Sequence, residues 1–133
     1  MEYKIQTPQN GDYVLVKVYG DVTIGMASEY AKNATTEGTK AGINKMLVDV
    51  RGYRSATKVL DEYTFAHGNA EKVGISRAWK ICILCDVGDE SFEFLEIVMR
   101  NAGYNYQVIY DEGKALEWLS SGYSRNPNHF GYQ

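Results

Sequence analysis

Three short apolar runs, MLVDV at 46–50, WKICILCDV at 79–87 and YQVIY at 106–110, are each followed by a stretch of different period. In those stretches apolar residues recur every three to four positions, the spacing of a helix that buries one face. Val59, Tyr63, Ala66, Ala70 and Val73 mark one such face, ending near Gly74. Phe92, Leu95, Met99 and Ala102 mark another, with Asp89 placed as its N-cap and Gly103 as its stop. Strands that alternate with helices of this length dictate a mostly parallel sheet joined by right-handed crossovers.

The N-terminal part adds a hairpin and one more helix. A first strand over Tyr3–Gln6 meets PQNGD, whose Asn10-Gly11 pair is a hairpin signal. YVLVKVYG follows, with Val14, Val16 and Val18 on one face and Tyr13, Leu15, Lys17 and Tyr19 on the other. Ala27, Tyr30, Ala31 and Ala34 then form a helical stripe that Gly38 is placed to stop. At the other end Asp111 caps a short helix carrying Ala115, Leu116, Trp118 and Leu119. The order is ββαβαβαβα. It predicts an α/β fold: a single mixed, mostly parallel five-stranded sheet with helices on both faces. Residues 1–120 form that domain, and the aperiodic residues 121–133 read as a flexible C-terminal tail.

At 133 residues the chain is long enough to bury about two-thirds of its unfolded surface, so no metal or disulfide is needed to hold it. A net charge of −3 with the two signs mixed gives no reason to expect nucleic acid. No apolar run approaches the ~20 residues of a membrane span. MEYKIQTPQNGD has neither the basic nor the apolar region of a signal peptide, so a cytoplasmic location is expected. Cys82 and Cys85 form a CxxC, but inside an apparent strand they point to opposite faces. Two buried structural cysteines are expected, rather than a redox pair or metal site.

Chemistry is sparser. Asp49, Asp86 and Asp111 fall near the carboxyl ends of strands, where open α/β sheets bind ligands. Asp49 occupies the place of a receiver-domain phosphoacceptor. The acidic pair that would hold Mg²⁺ is reduced to Asp21 alone, however, and the nearest lysine after the last strand is Lys114. Gly52 and Gly88 precede helices without a phosphate-loop motif. His67 stands one helical turn beyond Tyr63 with no second histidine fixed near it. Eleven tyrosines and two tryptophans exceed what a small core needs. Tyr53, Tyr63, Trp79 and Phe92 are placed to enclose a pocket, and Met26, Met46 and Met99 would make such a surface adaptable.

YGDVT, MLVDVRGY, FAHGNAEKVGISRAWKICILCDVGDESF and YQVIYDEGKALEWL, in this order and spacing, resemble the SpoIIAA-like proteins of the STAS superfamily over residues 12–120. These are relatives of bacterial anti-sigma-factor antagonists and are compared in fold with CRAL-TRIO lipid carriers. The resemblance implies a non-enzymatic regulatory or binding domain that docks a protein partner. In those antagonists a serine at the start of the helix after the third strand is phosphorylated by a partner kinase. The matching stretch here is Arg54-Ser55-Ala56-Thr57, which lacks the family's Asp-Ser-Ser-Gly signature. Ser55 and Thr57 are therefore the phosphorylation candidates, although an N-cap role accounts for Ser55 as well. By this reading Asp49 ends a strand and fixes the turn after it.

Asp49, Tyr53, Tyr63, His67, Trp79 and Phe92 are the partner- or ligand-binding candidates. The alternative that the CRAL-TRIO comparison implies is a carrier or sensor of a small hydrophobic ligand between the second and third helices. An enzyme using Asp49, His67 or Asp86 as acid or base ranks third. No cofactor or metal, no nucleic acid and no membrane span is expected. An exposed edge strand or the aromatic tail would supply the contact of a homodimer.

Overall fold

Alternating valines force YVLVKVYG to bury one face, and the sheet is built outward from that strand. In the computed structural model, which describes residues 2–8 and 12–121, β1 (Tyr3–Gln6) pairs antiparallel with β2 (Val14–Val18). After α1 (Ile24–Ala41), β3 (Lys45–Asp49) pairs parallel with β2. β4 (Lys80–Leu84) and β5 (Asn105–Ile109) extend the sheet in parallel, so the order is β1-β2-β3-β4-β5. The Asn10-Gly11 turn and the tail beyond residue 121 lie outside the described residues.

The strand order has a direct consequence. Right-handed crossovers that always step the same way put their helices on the same face. α1, the broken helix of α2 (Val59–Thr64) and α3 (Ala70–Lys72), and α4 (Glu93–Asn101) all contribute to one core. That core meets Val14, Val16, Val18, Met46, Val48, Ile81, Ile83, Tyr106 and Val108 from the sheet. α5 (Glu112–Ser120) follows the last strand and covers the other face, over Leu47, Cys82 and Leu84. The order never reverses within the parallel strands, so the switch-point crevice of doubly wound sheets has no place to form.

α5 is held at both ends. Asp111 accepts from the Lys114 N–H at 2.9 Å, the predicted cap. At the far end buried Lys80 donates from Nζ to Trp118 O at 2.6 Å and Ser121 Oγ at 3.0 Å, with its ammonium 4.6 Å from the centre of the Trp118 ring. A cation at a helix C-terminus is favoured by the helix dipole.

The cysteines divide between the faces as the strand period requires: Cys82 joins the core under α5, and Cys85 the core under the other helices. Both are free and buried. Burial pushes both thiols up, that of Cys85 to about 12, with Asp89 and Asp86 adding to the effect. Native protein at mildly alkaline pH should therefore resist thiol alkylation, and both thiols should react at once in denaturant. Fast labelling of the folded chain would contradict this packing.

Several expected roles are corrected. α1 runs past Gly38 to Ala41 and is closed by Gly42 in the left-handed region (φ 74°). Gly38 instead makes room: a Cβ there would lie 2.5 Å from the Trp79 ring and 2.8 Å from the Ile43 carbonyl. Asp89 is not an N-cap, because α4 starts at Glu93 with Phe92 before it. The expected single helix from Val59 to Val73 is broken by a π-helical turn at Phe65–Asn69, with non-helical torsions at His67 and Gly68. The break rotates the buried face onto Glu62, Phe65, Ala66 and Ala70, leaving Val59 and Tyr63 outside. Met26, Met46 and Met99 lie in the core and form no surface.

Candidate functional site

The segment between β3 and α2 has few apolar residues to bury, and its shape comes from hydrogen bonds at the carboxyl end of the sheet. Asp49, at the end of β3, accepts from the Arg51 backbone N–H at 3.1 Å and closes the turn. The Arg51 guanidinium binds the same carboxylate through Nε at 3.0 Å and Nη2 at 2.8 Å, and Lys17 Nζ lies 3.5 Å away. Burial pushes this carboxyl up. The Arg51 hydrogen bonds and the Lys17 charge outweigh burial and hold it below its ordinary value. Arg51 also reaches Glu112 of α5 at 3.4 Å. Asp49 is thus the centre of an ion cluster that ties β2, β3 and α5 together.

Past Gly52, whose N–H donates to Asp86 Oδ2 at 2.7 Å, residues 54–56 run extended beside Val22. Ser55 does not cap α2; the residue before that helix is Lys58, which gives it no side-chain cap. The Ser55 N–H donates to Ser91 Oγ at 2.9 Å, and Ser91 Oγ donates to Asp89 Oδ1 at 2.6 Å. Ser55 Oγ lies 2.8 Å from Thr57 Oγ1, and Thr57 Oγ1 donates to Glu62 Oε2. Thr57 has one hydroxyl proton and gives it to Glu62, so Ser55 is the donor to Thr57. A chain of two hydroxyls therefore ends on a carboxylate that is only 4% exposed.

Burial raises the Glu62 pKa, and the Thr57 and Ser55 hydroxyls lower it by less. A raised folded-state pKa means stability that is present below the unfolded value and is lost as pH rises through the folded one. Glu62→Gln keeps an acceptor for Thr57 and removes the buried charge. Its unfolding midpoint should exceed the parent's at neutral pH, with the gain shrinking toward pH 4. A midpoint below the parent's at both pH values would show that Glu62 is needed as an anion.

The remaining candidates separate into surface and core. Tyr63 and His67 are exposed on the broken helix and stack on one another, ring centres 4.3 Å apart. Tyr53 is half-buried against the core. Trp79 and Phe92 are core residues, 5% and 1% exposed, and neither reaches the surface. Asp49, His67 and Asp86 have separate partners: the Arg51–Lys17 cluster, the Tyr63 ring and the Gly52 amide. Among the described residues no three His, Cys, Asp or Glu side chains are placed to hold a metal.

Of the exposed apolar residues, Tyr63 was a candidate in sequence, whereas Val59, Leu60, Phe94 and Ile97 were missed. α2 packs beside α4, and each exposes apolar side chains: Val59, Leu60 and Tyr63 on one, Phe94 and Ile97 on the other. The signal was available in Gly68, a glycine inside a helical pattern, which breaks the projection that placed Val59 and Tyr63 inward. The space between α1, the π-helical turn, α4 and the sheet, lined by Tyr30, Phe65, Leu95 and Tyr106, has a volume of about 20 Å³. That is room for about one water.

Strand order and helix placement thus define a single-sheet α/β domain with three helical segments on one face and α5 on the other. The chain is similar to the crystal structure of an uncharacterized protein of the DUF3478 family from Shewanella loihica PV-4, described as having a SpoIIAA-like fold. The two share 21% identity with a TM-score of 0.48, over 88% of this chain and 91% of that one. No family model and no curated protein matches the chain.

Proposed function

We propose that the chain is a non-enzymatic binding domain that docks a protein partner on the outer face of α2 and α4. One observation carries this reading: two adjacent helices expose Leu60 at 72%, Val59 at 61%, Tyr63 and Ile97 at 52% each, and Phe94 at 37%. Water-facing apolar side chains concentrated on one face mark an interaction surface. Carriage of a hydrophobic ligand has less support, because the cavity between the helices and the sheet is far below the ~300 Å³ that a small ligand occupies.

Phosphorylation of Ser55 or Thr57 would regulate this surface through α2. A phosphoryl group adds about −1.5 to −2 charges. On Ser55 that charge would stand beside Glu62 and break the hydroxyl chain anchoring the start of α2. Native mass spectrometry of protein from its own cells, compared with the same sample denatured, tests both parts. A phosphoryl mass on Ser55 or Thr57 that survives denaturation supports the regulation, and a bare mass removes it and leaves unmodified docking. A small apolar molecule released on denaturation would replace docking with carriage.

A further inference from the structure

From the end of β4 to Ile97 the charges all have one sign. Residues 86–97, DVGDESFEFLEI, hold five acidic residues and no lysine or arginine. Asp86, Glu90 and Glu93 are exposed, and the same stretch exposes Val87 at 85%, Phe94 at 37% and Ile97 at 52%. The end of β5 belongs to the same surface, because the Tyr110 hydroxyl donates to Glu93 Oε2 at 3.3 Å, with exposed Asp111 and Glu112 next in the chain.

Three of the nearby cations are engaged, while exposed Lys58, just before α2, and exposed Lys114, in the first turn of α5, take part in no ion pair among the described residues. Arg51 pairs with Asp49 and Glu112, Arg54 with Asp89, and Arg100 with Glu96. Asp86, Glu90, Glu93 and Asp111 take part in no ion pair among the described residues. The loop also holds Asp89, which is 6% exposed and whose Oδ2 has no hydrogen-bond partner among the described residues. Acids at a helix N-terminus are ordinary support for its dipole, which accounts for Glu93 and Glu96. It does not account for apolar residues interleaved with them and facing water.

We infer that the β4–α4 turn, α4 and the end of β5 form a surface for a cationic, amphipathic segment of a protein partner. This rests on the docking reading above and supplies its chemistry. The partner's lysines or arginines meet Glu90, Glu93 and Asp86, and its apolar side meets Val87, Phe94 and Ile97. The same negative field repels nucleic acid and anionic lipid.

The test uses the full chain and two labelled helical peptides, one alternating leucine with lysine faces and a twin carrying glutamate for each lysine, read by fluorescence anisotropy. The lysine peptide should bind, weaken with added salt and outcompete its twin. Glu90→Lys combined with Glu93→Lys should cost about tenfold or more in affinity. Glu37→Lys combined with Glu117→Lys makes the same charge change on α1 and α5 and should leave affinity unchanged. Equal losses in both pairs would reduce the effect to net charge and overturn the inference, as would no binding of the lysine peptide. If both peptides bind equally and Leu60→Asp with Ile97→Asp abolishes both, docking stands and the cationic assignment falls.

Discussion

Replacing Trp79 with alanine should lower the unfolding free energy by about 3–5 kcal/mol, the range for emptying a large aromatic site in a core. The indole is 5% exposed and lies against Gly38 of α1, at the entrance to β4. Such a loss would be a large part of the 5–15 kcal/mol that holds a domain of this kind together. The contact also makes a sharper claim. Gly38→Ala should itself cost about 1–3 kcal/mol by overpacking, since its Cβ would press on the ring and on the Ile43 carbonyl. In a Trp79→Ala background the ring clash is absent and only the carbonyl remains, so the two losses should sum to less than additivity predicts. Strict additivity in urea unfolding would show that the ring and the glycine do not meet.

Asp49→Asn should cost about 1.5–3 kcal/mol at neutral pH, the range for hydrogen bonds to a charged group. A value near the lower end is expected because the Arg51 side chain is 40% exposed and water screens part of the attraction. The effect should vary with pH in a definite direction. The folded-state pKa of Asp49 lies below the ordinary 3.8, so its contribution is present above that value and lost as pH falls through the folded one. The difference between parent and variant should therefore narrow in acid. A constant difference from neutral pH down to the acid transition would assign the loss to shape rather than charge.

The sequence showed most of the fold and little of the surface. Strand positions and connection order were legible because a buried parallel strand is a short apolar run and its crossover helix has a different period. Asp49 closing the turn after β3, and the two cysteines on opposite faces, followed from the same local rules. Trp79 and Phe92 were candidates for a binding surface because aromatic residues serve cores and interfaces alike, and only packing against Gly38 and the sheet separates the two. The Ser55–Thr57–Glu62 chain was hidden for a different reason. It depends on the extended pairing of Ser55 with Val22, a contact between residues more than thirty positions apart that no local pattern encodes. The outward turn of Val59 and Tyr63 was lost because the helical projection was carried through the break at His67 and Gly68.

Docking on the α2–α4 face is tested most directly by cross-linking the parent chain inside its own cells, beside a variant combining Leu60→Asp and Ile97→Asp. Both substitutions fall on exposed positions, so the circular dichroism and unfolding midpoint of the variant should match those of the parent. The account predicts a cross-linked protein partner whose contacts map to α2 and α4 and which the variant fails to capture. Cross-links that persist unchanged in the variant, or that map to α1 or α5, would contradict it.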